Sequence, residues 1–226
     1  MSQSRLHPVI VSNPITCKTL FCNIFKGHRV LILPISTPNR GFRITSNNEL
    51  EFEADATGAT LLIPLTGRLE EDILLFPGRH NTQPILRALK PHLHTAEHIW
   101  LIGSTAVDEH DKETGSQPHL ALIKQLITHY LKPGITIHES LSGINFEDIE
   151  TMYEKISQCA NEARKQWSYS DHDIIIDTTG GQKTTSIAAS LATLHNNISF
   201  QYVQSSKPFE VNAYDMIFDS HPHLRT

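Results

Sequence analysis

An apolar strand runs into two glycines and then into a helix in the segment Asp173-Ile-Ile-Ile-Asp-Thr-Thr-Gly-Gly-Gln-Lys-Thr-Thr-Ser186. Because glycine lacks a side chain, Gly180 and Gly181 allow the backbone to approach a ligand closely. The N-terminus of the following helix directs N–H groups and the positive end of its dipole to the same place. Lys183 adds a positive charge, and four hydroxyl groups come from Thr178, Thr179, Thr184 and Thr185. This turn therefore predicts a phosphate-binding site.

Two established phosphate-binding motifs do not fit this turn. A Walker A loop has a Gly-Lys pair after a longer glycine-rich loop, whereas Gln182 precedes Lys183 here. The dinucleotide pattern Gly-x-Gly-x-x-Gly is absent as well. A purely structural strand-to-helix turn, with glycines for geometry and threonines as caps, is the alternative interpretation.

Around this turn, apolar strands alternate with amphipathic helices. Helices are predicted to begin near Pro84 and Pro118, at Asn145 as the N-cap, and at Gln182. The predicted strands are Arg29–Ser36, His98–Ser104, Ile135–His138, Asp173–Asp177, Ile198–Val203 and Val211–Met216. Such alternation predicts an α/β fold with a doubly wound, mainly parallel, Rossmann-like sheet.

A β-rich insertion is predicted after the first strand, over residues 37–78. It contains three short β-like pieces that suit a small hairpin or a lid: Phe42–Ile44, Leu50–Phe52 and Thr60–Leu65. Because a connection of this length is unusual, the last piece competes with Arg29–Ser36 for the place of first strand. Residues 1–27 are predicted to be an N-terminal extension, 28–218 one Rossmann-like domain, and 219–226 a tail.

Composition excludes several classes of protein. No apolar run reaches the length of a membrane helix, and the first residues lack the apolar core of a signal peptide. Three cysteines and a net charge of −5 favour a cytoplasmic protein that does not bind duplex DNA. The 14 histidines lack cysteines or carboxylates at zinc spacing, so we expect surface histidines such as His92 and His98, with no metal and no cofactor.

The segment Asp177-Thr-Thr179-Gly-Gly-Gln-Lys183 matches the Asp-x-Thr-x-x-x-Lys signature of CARF domains, the CRISPR-associated Rossmann folds. The chain resembles that family over about residues 28–218, with the signature after the fourth strand. The resemblance implies a homodimer that binds a cyclic oligoadenylate, a messenger of type III CRISPR antiviral signalling, across the dimer cleft. It implies a ligand pocket lined by Asp177, Thr179, Gly180, Gly181 and Lys183. Further candidates in the same turn are Thr178, Gln182 and Thr184. A second ligand loop of the family follows the first strand, and Ser36 and Thr37 occupy that place here.

Other polar and aromatic side chains are candidates for the same pocket. Ser104 and Thr105 follow the predicted strand that contains Trp100, where they either contact the ligand or cap the strand end. Tyr202 or Phe209, near the closing strands, has a ring that can stack on adenine.

The activity implied by the resemblance is that of a ring nuclease, because no segment is predicted to form the effector domain that many CARF proteins carry. A ribose 2′-hydroxyl would attack the adjacent 3′-phosphate, leaving a 2′,3′-cyclic phosphate without a metal. Lys183 would stabilise the charge on phosphate, and Ser36, Thr37 or Ser104 would hold the ribose. The same residues would serve a sensor of cyclic tetra-adenylate that regulates a separate effector protein. A nucleotide-phosphate-binding protein outside CRISPR systems is the third interpretation.

Overall fold

The computed structural model describes residues 27–54, 58–76, 80–106, 115–196, 198–204 and 210–214. The strands are β1 (Val30–Pro34), β2 (Phe42–Ile44), β3 (Glu49–Phe52), β4 (Leu61–Pro64), β5 (His98–Ile102), β6 (Thr136–Glu139), β7 (Ile174–Asp177), β8 (Ser199–Val203) and β9 (Val211–Tyr214). The α-helices are α1 (Leu69–Leu74), α2 (Thr82–Leu89), α3 (Leu120–Tyr130), α4 (Ile149–Trp167) and α5 (Lys183–Asn196). Within these described ranges, no helix combines the length and hydropathy needed to cross a membrane.

Six strands form the main sheet, in the order β6-β5-β1-β7-β8-β9. Its pairings are parallel except for the last, where β9 runs antiparallel to β8. The predicted doubly wound, mainly parallel α/β fold is therefore confirmed. Strand β1 pairs with β5 on one side and with β7 on the other, so the strand order reverses between β1 and β7. Ligands of such sheets bind at the carboxyl ends of the strands that flank this reversal.

Strand β1 is buried on both faces. Its side chains point alternately to the two faces of the sheet, and each face packs in a separate core. Leu31 and Leu33 belong to a core that also contains α2, α3 and the residues of the insertion. Val30 and Ile32 belong to a second core, formed with α4 and α5. Arg29–Ser36 is thus confirmed as the first strand of the main sheet.

The insertion forms a small antiparallel sheet in the order β2-β3-β4. Its buried residues, among them Phe42, Phe52 and Ile63, join the same core as the helices α2 and α3. The competing assignment of Thr60–Leu65 to the first strand is wrong, because β4 pairs with β3 instead of with the main sheet. Helix α1, which follows β4, was not predicted.

Helix α4 begins one turn later than the sequence indicates. The Asp148 carboxylate accepts hydrogen bonds from the N–H groups of Glu150 and Thr151 at 3.0 and 3.2 Å, so Asp148 is the N-cap. The predicted cap, Asn145, instead accepts from Glu147 N in the preceding loop. Asn145 and Asp148 are both common N-cap residues, and the spacing of the apolar side chains alone does not show which of them begins the helix.

Candidate functional site

The loops after β1 and β7 meet at the reversal of the strand order. The Ser36 hydroxyl donates a hydrogen bond to the carbonyl oxygen of Gly180, although 144 positions separate them in the sequence. Pairing of β1 with β7 places the ends of both strands side by side. The structure therefore brings together the two segments that the sequence analysis assigned to one pocket.

Both glycines of the turn are required by their packing against the protein. A Cβ atom on Gly180 would lie 2.4 Å from the carbonyl oxygen of Pro34 in β1. A Cβ atom on Gly181 would lie 2.3 Å from the side chain of Thr185. The close approach that glycine permits here is made by the chain itself, which fixes the turn against β1 and α5.

The Asp177 carboxyl group is directed into the protein beneath the turn. It accepts hydrogen bonds from the hydroxyl and the N–H group of Thr179, at 2.7 and 3.2 Å. Burial raises the pKa of Asp177 to about 7, and hydrogen bonds from Thr179, Gln201 and Gly180 oppose that rise. Asp177 therefore organises the backbone of the turn.

A buried polar network that sequence reasoning missed supports Asp177 from below. Gln201 of β8 is fully buried, pairs in register with Asp177, and contacts its carboxyl group. The Gln201 amide also meets His92 Nε2 at 2.8 Å and donates to the Ala88 carbonyl oxygen at 2.9 Å. A glutamine inside an apolar strand was the available sequence signal, because buried amides require partners.

Three threonines of the segment have hydroxyl groups that hold the turn in place. Thr178 is buried and donates to the carbonyl oxygen of Gln201 at 3.1 Å. Thr179 donates to Asp177 and accepts from the N–H group of Val203 at 2.9 Å. Thr184 donates to the carbonyl oxygen of Phe146, before α4.

Gln182 and Lys183 are the exposed polar side chains of the turn. Lys183 is the first residue of the 14-residue helix α5, where N–H groups lack intrahelical acceptors. Within the part of the chain that the structure describes, Lys183 forms no ion pair. The carboxyl edge of the sheet thus holds the Lys183 ammonium group, the N-terminus of α5 and the half-buried Ser36.

Thr37 is anchored by a residue that the sequence analysis did not identify. The side-chain amide of Asn81 donates to the Thr37 carbonyl oxygen. Asn81 also exchanges hydrogen bonds with Asn39, which joins the start of the insertion to the segment that follows it.

Ser104 and Thr105 follow β5, on the other side of β1, and their described hydrogen bonds lead away from the glycine turn. The Ser104 hydroxyl accepts from the N–H group of Ser116 at 2.9 Å, and Ser104 N donates to the Ser116 hydroxyl at 2.7 Å. Thr105 is exposed, and its N–H group donates to Ile144. Ser104 thus joins the two ends of the β5–α3 connection, and Thr105 contacts the loop between β6 and α4, whereas Ser36 contacts the turn directly.

The prediction of surface histidines is wrong for His92 and His98, because both are buried. His92 lies against Gln201, and burial lowers its pKa to about 4. His98 packs among Trp100, His138 and Trp167. No group of three or more metal-ligating side chains is found within the described ranges.

Of the two aromatic candidates for stacking on adenine, Tyr202 is partly exposed on β8, and Phe209 lies outside the described residues.

Comparison with known proteins provides one distant relative and no family. No protein-family model matches the chain. An uncharacterized protein of Aquifex aeolicus (strain VF5) is 26% identical over 132 residues, which are 58% of this chain and 40% of that protein. The match therefore spans less than half of the relative, and its description assigns no activity.

Proposed function

We propose that this chain binds a cyclic oligoadenylate, with cyclic tetra-adenylate as the preferred ring, at the carboxyl edge of its parallel sheet. In this proposal it is a CARF-type protein of type III CRISPR antiviral signalling that binds the ring as a homodimer. The contact between Ser36 and Gly180 carries the proposal, because it joins the two predicted ligand loops at the reversal of the strand order.

The electrostatics of the turn support an anionic ligand. Lys183 supplies a full positive charge beside the N-terminus of α5, where an anion is favoured. The carboxyl group of Asp177, in the same turn, is buried, and its raised pKa reduces its negative charge near neutral pH. Repulsion between Asp177 and a phosphate group is therefore lower than for an ordinary aspartate.

The exposed face of α5 supports a dimer. From Thr184 to Asn196 the helix has no Asp, Glu, Lys or Arg, and Ile187 and Leu191 are 49% and 38% exposed, one turn apart. Depletion of charge around exposed apolar side chains is typical of interface cores. A two-fold axis beside α5 would bring two Lys183 side chains to one ring, as a ligand with internal two-fold symmetry requires.

The same groups suit cleavage of the ring without a metal. A ribose 2′-oxygen forms a bond to the adjacent phosphorus, the bond from phosphorus to the 5′-oxygen breaks, and the product carries a 2′,3′-cyclic phosphate. The 2′-hydroxyl loses its proton to water, and the leaving 5′-oxygen gains one from water. Lys183 would stabilise the charge on the phosphate, and the Ser36 hydroxyl would orient the ribose.

The test mixes the purified protein with cyclic tri-, tetra- or hexa-adenylate in EDTA and follows intact and linear species by chromatography. Lys183→Ala is run beside Lys165→Ala, which removes an exposed lysine from the last turn of α4. Conversion to linear product that is lost only in Lys183→Ala would establish a ring nuclease. Retention of an intact ring, weakened only in Lys183→Ala, would establish a sensor. Failure of every ring to bind would overturn the proposed function.

A further inference from the structure

The Ser36–Thr37 loop is held by a hydrogen bond at each of its two residues. The Ser36 hydroxyl donates to Gly180, within the glycine turn. The carbonyl oxygen of Thr37 accepts from the side-chain amide of Asn81. The position of the loop relative to the turn thus depends on Asn81, which lies just after the insertion.

Both polar atoms of the Asn81 side chain form hydrogen bonds. Its Nδ2 donates to Thr37, its Oδ1 accepts from Asn39 N at 3.0 Å, and its own N–H group donates to Asn39 Oδ1 at 3.2 Å. Asn81 directly precedes α2, where an asparagine ordinarily caps the helix. Here its side chain makes no cap hydrogen bond and reaches across to the loop instead.

The neighbouring residue, His80, adds further contacts between this segment and the insertion. His80 is buried, its Nε2 lies 2.9 Å from the carbonyl oxygen of Arg40, and its Nδ1 lies 2.6 Å from the Thr82 hydroxyl. Its ring packs against Phe52 and the other aromatic side chains of the insertion. His80 and Asn81 therefore both bind the start of the insertion, and Asn81 is the one that contacts the Ser36–Thr37 loop.

We infer that Asn81 is a positioning residue for the ligand site: it sets the Ser36–Thr37 loop against the glycine turn and couples the insertion to that site. This inference rests on the proposed function only for its effect on ligand binding. The coupling between Asn81, the loop and the turn is a property of the free protein and is measured there separately.

The test replaces Asn81 by aspartate, which has nearly the same shape but places an oxygen where Nδ2 donates to Thr37. Hydrogen exchange of the ligand-free protein is measured over peptides spanning residues 34–40 and 177–183. Asn81→Asp is expected to speed exchange in both peptides, and to weaken binding of cyclic tetra-adenylate about tenfold. Asn47→Asp adds the same charge to an exposed turn of the insertion and is expected to change neither measurement.

A double-mutant cycle with Ser36→Ala separates positioning from general destabilisation. If Asn81 acts through the loop, the effects of Asn81→Asp and Ser36→Ala on affinity are less than additive, whereas independent losses of stability add. Unchanged exchange in the 177–183 peptide, or fully additive effects on affinity, would overturn the inference. If the wild-type protein binds no ring, the proposed function fails, and the exchange measurement alone still decides whether Asn81 couples the insertion to the turn.

Discussion

The Ser36 hydroxyl donates a hydrogen bond to the Gly180 carbonyl oxygen and so links the end of β1 to the turn after β7. The two residues lie on either side of the reversal of the strand order, where α/β sheets bind their ligands. Gly180 also packs so closely on Pro34 that no larger residue fits. These contacts make the two loops one unit.

Ser36→Ala is expected to weaken ligand binding about 3- to 10-fold, because one hydrogen bond that orients the loop is lost. Titration of cyclic tetra-adenylate by calorimetry measures the change. Ser46→Ala, in the exposed turn between β2 and β3, is the control and should bind as the wild type does. Equal affinity of both variants would show that the contact has no part in binding.

Lys183→Ala is expected to reduce the salt dependence of binding as well as the affinity. If each of two protomers loses one phosphate contact worth about 0.7, the slope of log K against log salt falls by about 1.4. Affinity measured at several salt concentrations gives this slope, with Lys165→Ala as the control. A slope that Lys183→Ala leaves unchanged would place the phosphate groups elsewhere.

Asp177→Asn is expected to remove a pH dependence of stability. Since burial raises the pKa of Asp177 to about 7, the folded protein keeps a proton that the unfolded chain loses near pH 4. The free energy of unfolding therefore falls as pH rises between about 4 and 7, and the Asp177→Asn variant would lack this contribution. Urea unfolding of both proteins across this range measures the difference.

The contribution of His92 to stability has the opposite sign. Because burial lowers its pKa to about 4, it favours unfolding as pH falls below about 6.5. That contribution is shared by the wild type and Asp177→Asn, so the difference between the two proteins isolates Asp177. A difference that does not vary with pH would contradict the assignment of a raised pKa to Asp177.

Ile187→Glu is expected to convert the proposed dimer to a monomer, because it places a charge on the uncharged exposed face of α5. Light scattering coupled to size exclusion measures the mass in solution. Ile149→Glu, at the start of α4, alters an isoleucine that is 37% exposed and should leave the mass unchanged. A dimer that survives Ile187→Glu, or a wild-type monomer, would remove α5 from the interface.

Much of the fold could be predicted from local patterns in the sequence. The alternation of strands and helices, the first strand, the β-rich insertion and the position of the glycine turn all follow from periodicity and turn residues, which act over a few positions. The sequence analysis missed helix α1, because a helix of six residues is too short to show a clear periodicity. It mistook Asn145 for the N-cap of α4, because Asn145 and Asp148 are both good cap residues.

The sequence by itself therefore determined that a glycine-containing turn follows an apolar strand in an α/β chain. Only the tertiary structure decided that Ser36 reaches Gly180, that Asp177 is directed inward onto Gln201, and that Asn81 holds Thr37. These relationships join residues distant in sequence, and they depend on which strands pair and which faces are covered. Burial likewise decided the state of His92, since a histidine is pushed toward neutrality only where the folded chain excludes water.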